Sequence, residues 1–160
     1  MEGKDMHHLS GYGYLLALVM VAPASAEPAR LVTHFPEHDV SRFLFTHFDI
    51  ATIRSPLNPA RSADQRSFAS VLPAPTRFEP DMFEVDAFGW VYRMRILDRG
   101  DFNRDGVEDL VACFESRAML GSYNASQLLL VTRYSENTPA VAIRFEPSSG
   151  RYPCANFPAQ

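Results

Sequence analysis

Trp90-Val91-Tyr92-Arg93-Met94-Arg95-Ile96 places a large apolar side chain at every second position. Successive side chains of a strand point to opposite faces, so Trp90, Tyr92, Met94 and Ile96 share one side and Arg93 and Arg95 the other. That alternation predicts a half-buried antiparallel strand. Outward from it, Phe83 to Asp86 reads as a hairpin partner across Ala87-Phe88-Gly89, and Asp109 to Phe114 as the next strand. Gln127 to Tyr134 and Ala140 to Phe145 read as a second hairpin across Ser135 to Pro139. Five strands with short connections predict an α+β fold, mainly an antiparallel meander, with one or two short N-terminal helices on one face.

The first third of the chain has a different grain. Prolines at 28, 36, 56, 59, 73, 75 and 80 interrupt every periodic pattern. Two short helices are expected, Asp39 to about Ile53 and Ala63 to Val71, the second opened by the capping-box pattern of Ser62 and Gln65. Upstream, the apolar run Tyr12 to Ala22 precedes Ala24-Ser25-Ala26, a small-x-small cleavage site, so residues 1–26 read as a signal peptide cleaved after Ala26. The run is too short for a membrane anchor, which needs about 20 apolar residues. The remainder, 27–160, is expected to be one domain: irregular and short-helical over 27–80, β-rich over 82–146, with a tail over 147–160.

The chain is mildly acidic, with a formal net charge of −4, and Lys4 in the leader is its only lysine. No basic stripe is available for nucleic acid, and no membrane association is expected once the leader is gone. The short leader and arginine-rich composition point to a bacterial protein that is periplasmic or secreted. Its two cysteines, Cys113 and Cys154, would meet an oxidising compartment and are expected to pair. Such a bridge would stabilise by about 3 to 4 kcal/mol in the chain-entropy model and would pin the tail to the strand carrying Cys113.

The connection between the second and third strands carries the chemistry. In Asp101-Phe102-Asn103-Arg104-Asp105-Gly106-Val107-Glu108-Asp109, oxygen-bearing side chains recur at every second position around a glycine. A hard cation takes six to eight oxygens, and a short loop supplies them when alternate residues point inward and glycine permits the sharp turn. Three carboxylates in one tight turn also repel, by about 1 kcal/mol per pair at 4 Å in water and about 4 at an effective dielectric of 20. The competing reading is a solvated Asp/Asn/Gly turn. With its flanks, Gly100 to Val111 closely resembles the calcium loop of FG-GAP and VCBS-type repeats. The resemblance implies bound Ca2+, with side-chain ligands Asp101, Asn103, Asp105 and Asp109 and the Val107 carbonyl between them. The loop is EF-hand-like only in part, since Ala112 stands where a bidentate glutamate would close an EF-hand. It occurs once, and one copy cannot close a propeller.

Other motifs have ordinary explanations. Arg99-Gly100-Asp101 spells an integrin tripeptide, yet Asp101 is already the first proposed ligand. His34 and His38 have helical zinc spacing, but Pro36 sits between them, and His47 stands apart. Asn124-Ala125-Ser126 is a glycosylation sequon in a eukaryotic host. No catalytic signature appears, and catalytic residues are not assigned. Three function classes follow. The first is a small exported calcium-binding protein without enzymatic activity. The second is a periplasmic inhibitor or immunity-type protein that binds a protein partner and carries structural calcium, with Tyr123 and Phe157 as exposed aromatics. The third is a hydrolase in which Glu84, Asp86 and Glu115 converge.

Overall fold

The computed structural model describes residues 31–54, 56, 58–143, 151, 152 and 154. The leader and its cleavage site therefore lie outside the described residues, as do Phe145 and Phe157.

Helix α1 (Val40–His47) is followed by β1 (Phe48–Asp49), a 3₁₀ turn (Ile50–Thr52) and helix α2 (Phe68–Val71). Six strands follow among the described residues: β2 (Arg77–Glu79), β3 (Met82–Ala87), β4 (Trp90–Gly100), β5 (Asp109–Ala118), β6 (Asn124–Thr132) and β7 (Ala140–Ile143). They form one sheet in the order β1-β7-β6-β5-β4-β3-β2. From β2 to β7 the strands meander in antiparallel pairs, but β1 joins β7 in parallel, Phe48 opposite Ala140 and Asp49 opposite Val141. This corrects the five-strand antiparallel meander: the sheet has seven strands and is mixed.

Both added strands come from the proline-rich third. The helix expected to run to Ile53 stops at His47, because Phe48 and Asp49 bond to β7 instead. Asp49 is fixed there by Arg66, whose Nε donates to Oδ1 at 3.0 Å, while its own Oδ1 accepts from the Ala51 N–H. The second helix shrinks to one turn capped by Ser67 and Ser70. Ser62 and Gln65 do bond to each other, the Ser62 N–H donating to Oε1 at 2.9 Å, but they close a turn and start no helix.

The predicted inward face of β4 is the observed one. Tyr92, Met94 and Ile96 join Phe83, Val85, Leu110, Phe114, Leu129 and Val131 against Leu44, Phe45, Phe48 and Phe68, with Trp90 packed at the margin. Phe68 is the hub, its ring 5.2 Å from Phe83 and 5.7 Å from both Phe48 and Phe114. A bulge at Leu97 shifts the register between Ile96 and Asp98. Arg99 thereby sits opposite Leu110, on the side of the N-terminal segment.

The opposite face mixes the ionic group of Glu84, Arg93, Arg95 and Glu115 with buried Met82, Val91, Val111 and Leu130, and Tyr152 and Cys154 bond to it. Cys113 and Cys154 form the disulfide, with Cα atoms 5.4 Å apart. Ser126 Oγ donates to the Cys154 carbonyl at 2.8 Å, and the Tyr152 hydroxyl donates to Asp98 Oδ2 at 2.7 Å. No helix among the described residues is long and apolar enough to cross a membrane.

Candidate functional site

The acidic loop joins β4 to β5, so two long paired strands fix both of its ends. Inside it the carboxylates organise the backbone. Asp101 accepts from the Asp105 and Gly106 N–H groups, each at 3.0 Å, through its two oxygens. Asn103 Oδ1 accepts from the Asp105 N–H at 2.9 Å, and Asp105 Oδ1 from the Val107 N–H at 2.9 Å. Asn103 Nδ2 donates to Asp105 Oδ2 at 2.8 Å. Gly106 has φ 84°, the left-handed region that glycine enters without steric penalty.

Asp109 anchors the loop from below. It is fully buried, and its Oδ2 accepts from the N–H groups of Phe102 (3.1 Å) and Asn103 (3.2 Å). Its Oδ1 is buried without a hydrogen-bond partner among the described residues. The Thr132 hydroxyl, opposite on β6, is set against this carboxylate without closing a well-formed bond. Burial pushes the Asp109 carboxyl above the ordinary range. Thr132 and the two loop N–H groups pull it back, and the Asp105 charge pushes it up again, leaving it raised.

A strand segment clamps the loop from outside. The Val32 N–H donates to the Gly106 carbonyl at 3.1 Å, and the Glu108 N–H donates to the Val32 carbonyl at 2.7 Å. Val107 is the residue facing Val32 in this parallel bridge. Its own N–H and carbonyl therefore point away from Val32, towards the loop side that carries Asp105. Glu108, a spacer in the sequence pattern, has a structural part. Both of its oxygens accept from Arg99, at 3.0 and 2.8 Å, and Thr33 Oγ1 donates to it as well. Burial pushes the Glu108 carboxyl up, but Arg99 and Thr33 more than offset this and hold it below its ordinary value. Arg99 also donates to the Pro36 carbonyl at 3.2 Å. The Arg-Gly-Asp tripeptide thus has both charged side chains engaged within its own chain.

The donor set of carboxylate, amide and backbone carbonyl oxygens suits a hard divalent cation and no softer metal. The orphaned Oδ1 of Asp109 is an acceptor with unspent capacity at the foot of the loop. The loop side chains, however, are bonded to their own backbone. No group of three or more His, Cys, Asp or Glu among the described residues is gathered to hold a metal.

The other candidates separate. His47 stacks on Phe43 at 4.8 Å and bonds to Thr46, while His34 offers its backbone carbonyl to Arg133. Glu84 and Glu115 do meet, but on either side of Arg93, at 3.7 and 2.5 Å, and Asp86 is exposed farther along the same face. Compared with known protein families, characterised proteins and solved structures, the chain finds no match among any of the three.

Proposed function

We propose that this is a small exported calcium-binding protein, non-enzymatic, in which the ion binds the β4–β5 loop through Asp101, Asn103, Asp105, Asp109 and the Val107 carbonyl. The observation that carries this reading is Asp109, a buried carboxylate with one oxygen unpartnered among the described residues, in the loop that carries three further oxygen-bearing side chains. A carboxylate in that position costs free energy that a divalent cation offsets. The loop then acts as a calcium-dependent brace. It already holds Val32, and through Arg99 and Glu108 it holds the segment at Pro36. The disulfide supports an oxidising location, periplasmic or extracellular. The pairing of both Glu84 and Glu115 with Arg93 weighs against carboxylate-based hydrolysis.

Extracellular calcium modules have Kd values of about 10⁻⁴ to 10⁻³ M, so calcium at about 10 mM should stabilise the oxidised protein by about 1.4 to 2.7 kcal/mol. Thermal melts in calcium and in chelator read this directly, and Asp105→Ala should abolish the difference. Identical melts for the unaltered protein, with no heat of binding by calorimetry, would refute the reading.

A second reading, the inhibitor or immunity-type partner binder, is favoured by one observation. Phe88 and Leu120 are 80% and 92% exposed on neighbouring turns at the end of the sheet far from the loop. Capture of a protein partner that Phe88→Asp or Leu120→Asp abolishes would support it. Capture unaffected by both would count against it.

A further inference from the structure

Between the start of α1, the β2–β3 turn and the C-terminal half of β4 lies a groove of about 430 Å³. Val40 and Ile96, both buried, and Pro80 make its apolar lining. Glu37, Asp39 and Asp81, all exposed, stand around it. Two backbone bonds fix the walls: the Ser41 N–H donates to the Pro80 carbonyl at 3.2 Å, and the Ile96 N–H to the Asp81 carbonyl at 2.8 Å. Asp39 holds the N-cap position with φ 54°, yet its carboxylate makes no capping bond. The N–H groups of Arg42 and Phe43 donate instead to its backbone carbonyl, at 3.0 and 3.2 Å.

These bonds decide the sign of the occupant. With the N–H groups of Ser41, Arg42 and Phe43 spent on carbonyls, the helix start offers little to an anion. Arg99, the arginine of the lining, is also spent, on both oxygens of Glu108 at 3.0 and 2.8 Å and on the Pro36 carbonyl. Glu37, Asp39 and Asp81 have no ion-pair partner among the described residues. An uncompensated acidic rim on a chain of net charge −4 selects a cation. It is not a metal ion, because these acids and His38 are not gathered closely enough to share one. The apolar lining asks for hydrocarbon beside the charge, which a polyamine, charged along its length, supplies poorly. An arginine side chain supplies both: its methylene stem packs on apolar surface, and its planar guanidinium carries five donors that reach separated carboxylates. We infer that the groove between α1, the β2–β3 turn and β4 is a docking site for an arginine side chain in a basic segment of a partner protein.

The oxidised chain should be titrated against a fluorescein-labelled, alanine-based nonapeptide carrying two arginines, read by anisotropy at about 20 mM salt, where exposed charges are little screened. Saturable binding with a Kd at or below about 1 mM is expected. Asp39→Asn combined with Asp81→Asn should weaken it at least about tenfold, and asparagine suits the left-handed φ of position 39. Glu37→Gln gives an independent reading of the same rim should the double variant melt early. Asp86→Asn, which removes an exposed carboxylate at the far end of β3, should leave binding unchanged. No binding of the arginine peptide, binding that the rim variants leave intact, or a loss matched by Asp86→Asn would overturn the proposal. Equal binding of the lysine counterpart or of spermidine would overturn it as well, since any cation would then serve. The proposal does not rest on calcium in the β4–β5 loop: it requires binding in chelator as well as in calcium, and peptide bound only with calcium would refute it.

Discussion

The two ends of the β4–β5 hairpin solve opposite problems. At one end, Asp101, Asn103 and Asp105 turn inward and bond to their own loop, which Val32, Arg99 and Glu108 brace from outside. At the other, Phe88, Met119 and Leu120 turn outward on short turns that little else in the described chain holds. A loop that spends its polar groups internally gains rigidity and offers the solvent little. A turn that exposes large apolar side chains gains nothing in stability from them, so their energetic use lies in contact with something else. The comparison teaches that the loop end is organised by its own polar groups, whereas the far end leaves large apolar side chains to the solvent.

The largest test removes the tail from the loop end. Cys113→Ser with Cys154→Ser should lower stability by about 3 to 4 kcal/mol. Denaturant melts should show it, and because Tyr152 packs edge-on to Phe102 at 6.1 Å, calcium should bind more weakly while the turns carrying Phe88 and Leu120 are unaffected. Equal damage at both ends would erase the contrast. Next, Asp109→Asn should abolish the calcium-dependent gain of about 1.4 to 2.7 kcal/mol. In chelator the same variant should be no less stable than the unaltered protein, because a buried carboxylate with an orphaned oxygen has been removed. A large loss in chelator would show instead that the loop needs the Asp109 charge without an ion, because asparagine keeps an oxygen that accepts from Phe102 and Asn103.

Glu108 gives a pH test of the brace. Its carboxyl lies lower when folded than when unfolded, so its contribution is fully present above the unfolded value and is lost as pH falls through the ordinary carboxylate range towards the folded value. Glu108→Gln should remove that part of the acid sensitivity and cost about 1 to 2 kcal/mol at neutral pH, measured by melts across acidic pH. The smallest effect is expected at the far end. Phe88→Ser and Leu120→Ser should change stability by no more than about 0.5 kcal/mol and leave the calcium response intact. A loss of several kcal/mol would mean that these side chains serve folding.

Much of this was legible in the sequence, for local reasons. Alternation from Trp90 to Ile96 marked both faces of β4, and the even spacing of oxygens from Asp101 to Asp109 marked the loop, because each signal depends only on neighbours in the chain. The two cysteines were expected to pair and do so. Phe48 and Asp49 were misread as helix because nothing local announces a two-residue strand whose partners, Ala140 and Val141, lie some ninety residues away. Arg77 to Glu79 was hidden between prolines, and its pairing with Met82 to Glu84 is what makes it a strand. The bulge at Leu97 escaped as well, since a strict period of two cannot show where the register slips.

The sequence by itself determined the strand faces, the oxygen-rich spacing of the loop and the disulfide partners, because pleat, side-chain alternation and redox chemistry are properties of short segments and residue types. Only the tertiary structure decided that Asp109 is buried with one oxygen orphaned among the described residues, that Glu108 is a clamp, and that Trp90 and Tyr123 meet edge to face. Burial and orphaned acceptors arise from what distant segments place over a residue, and distance along the chain carries no record of that.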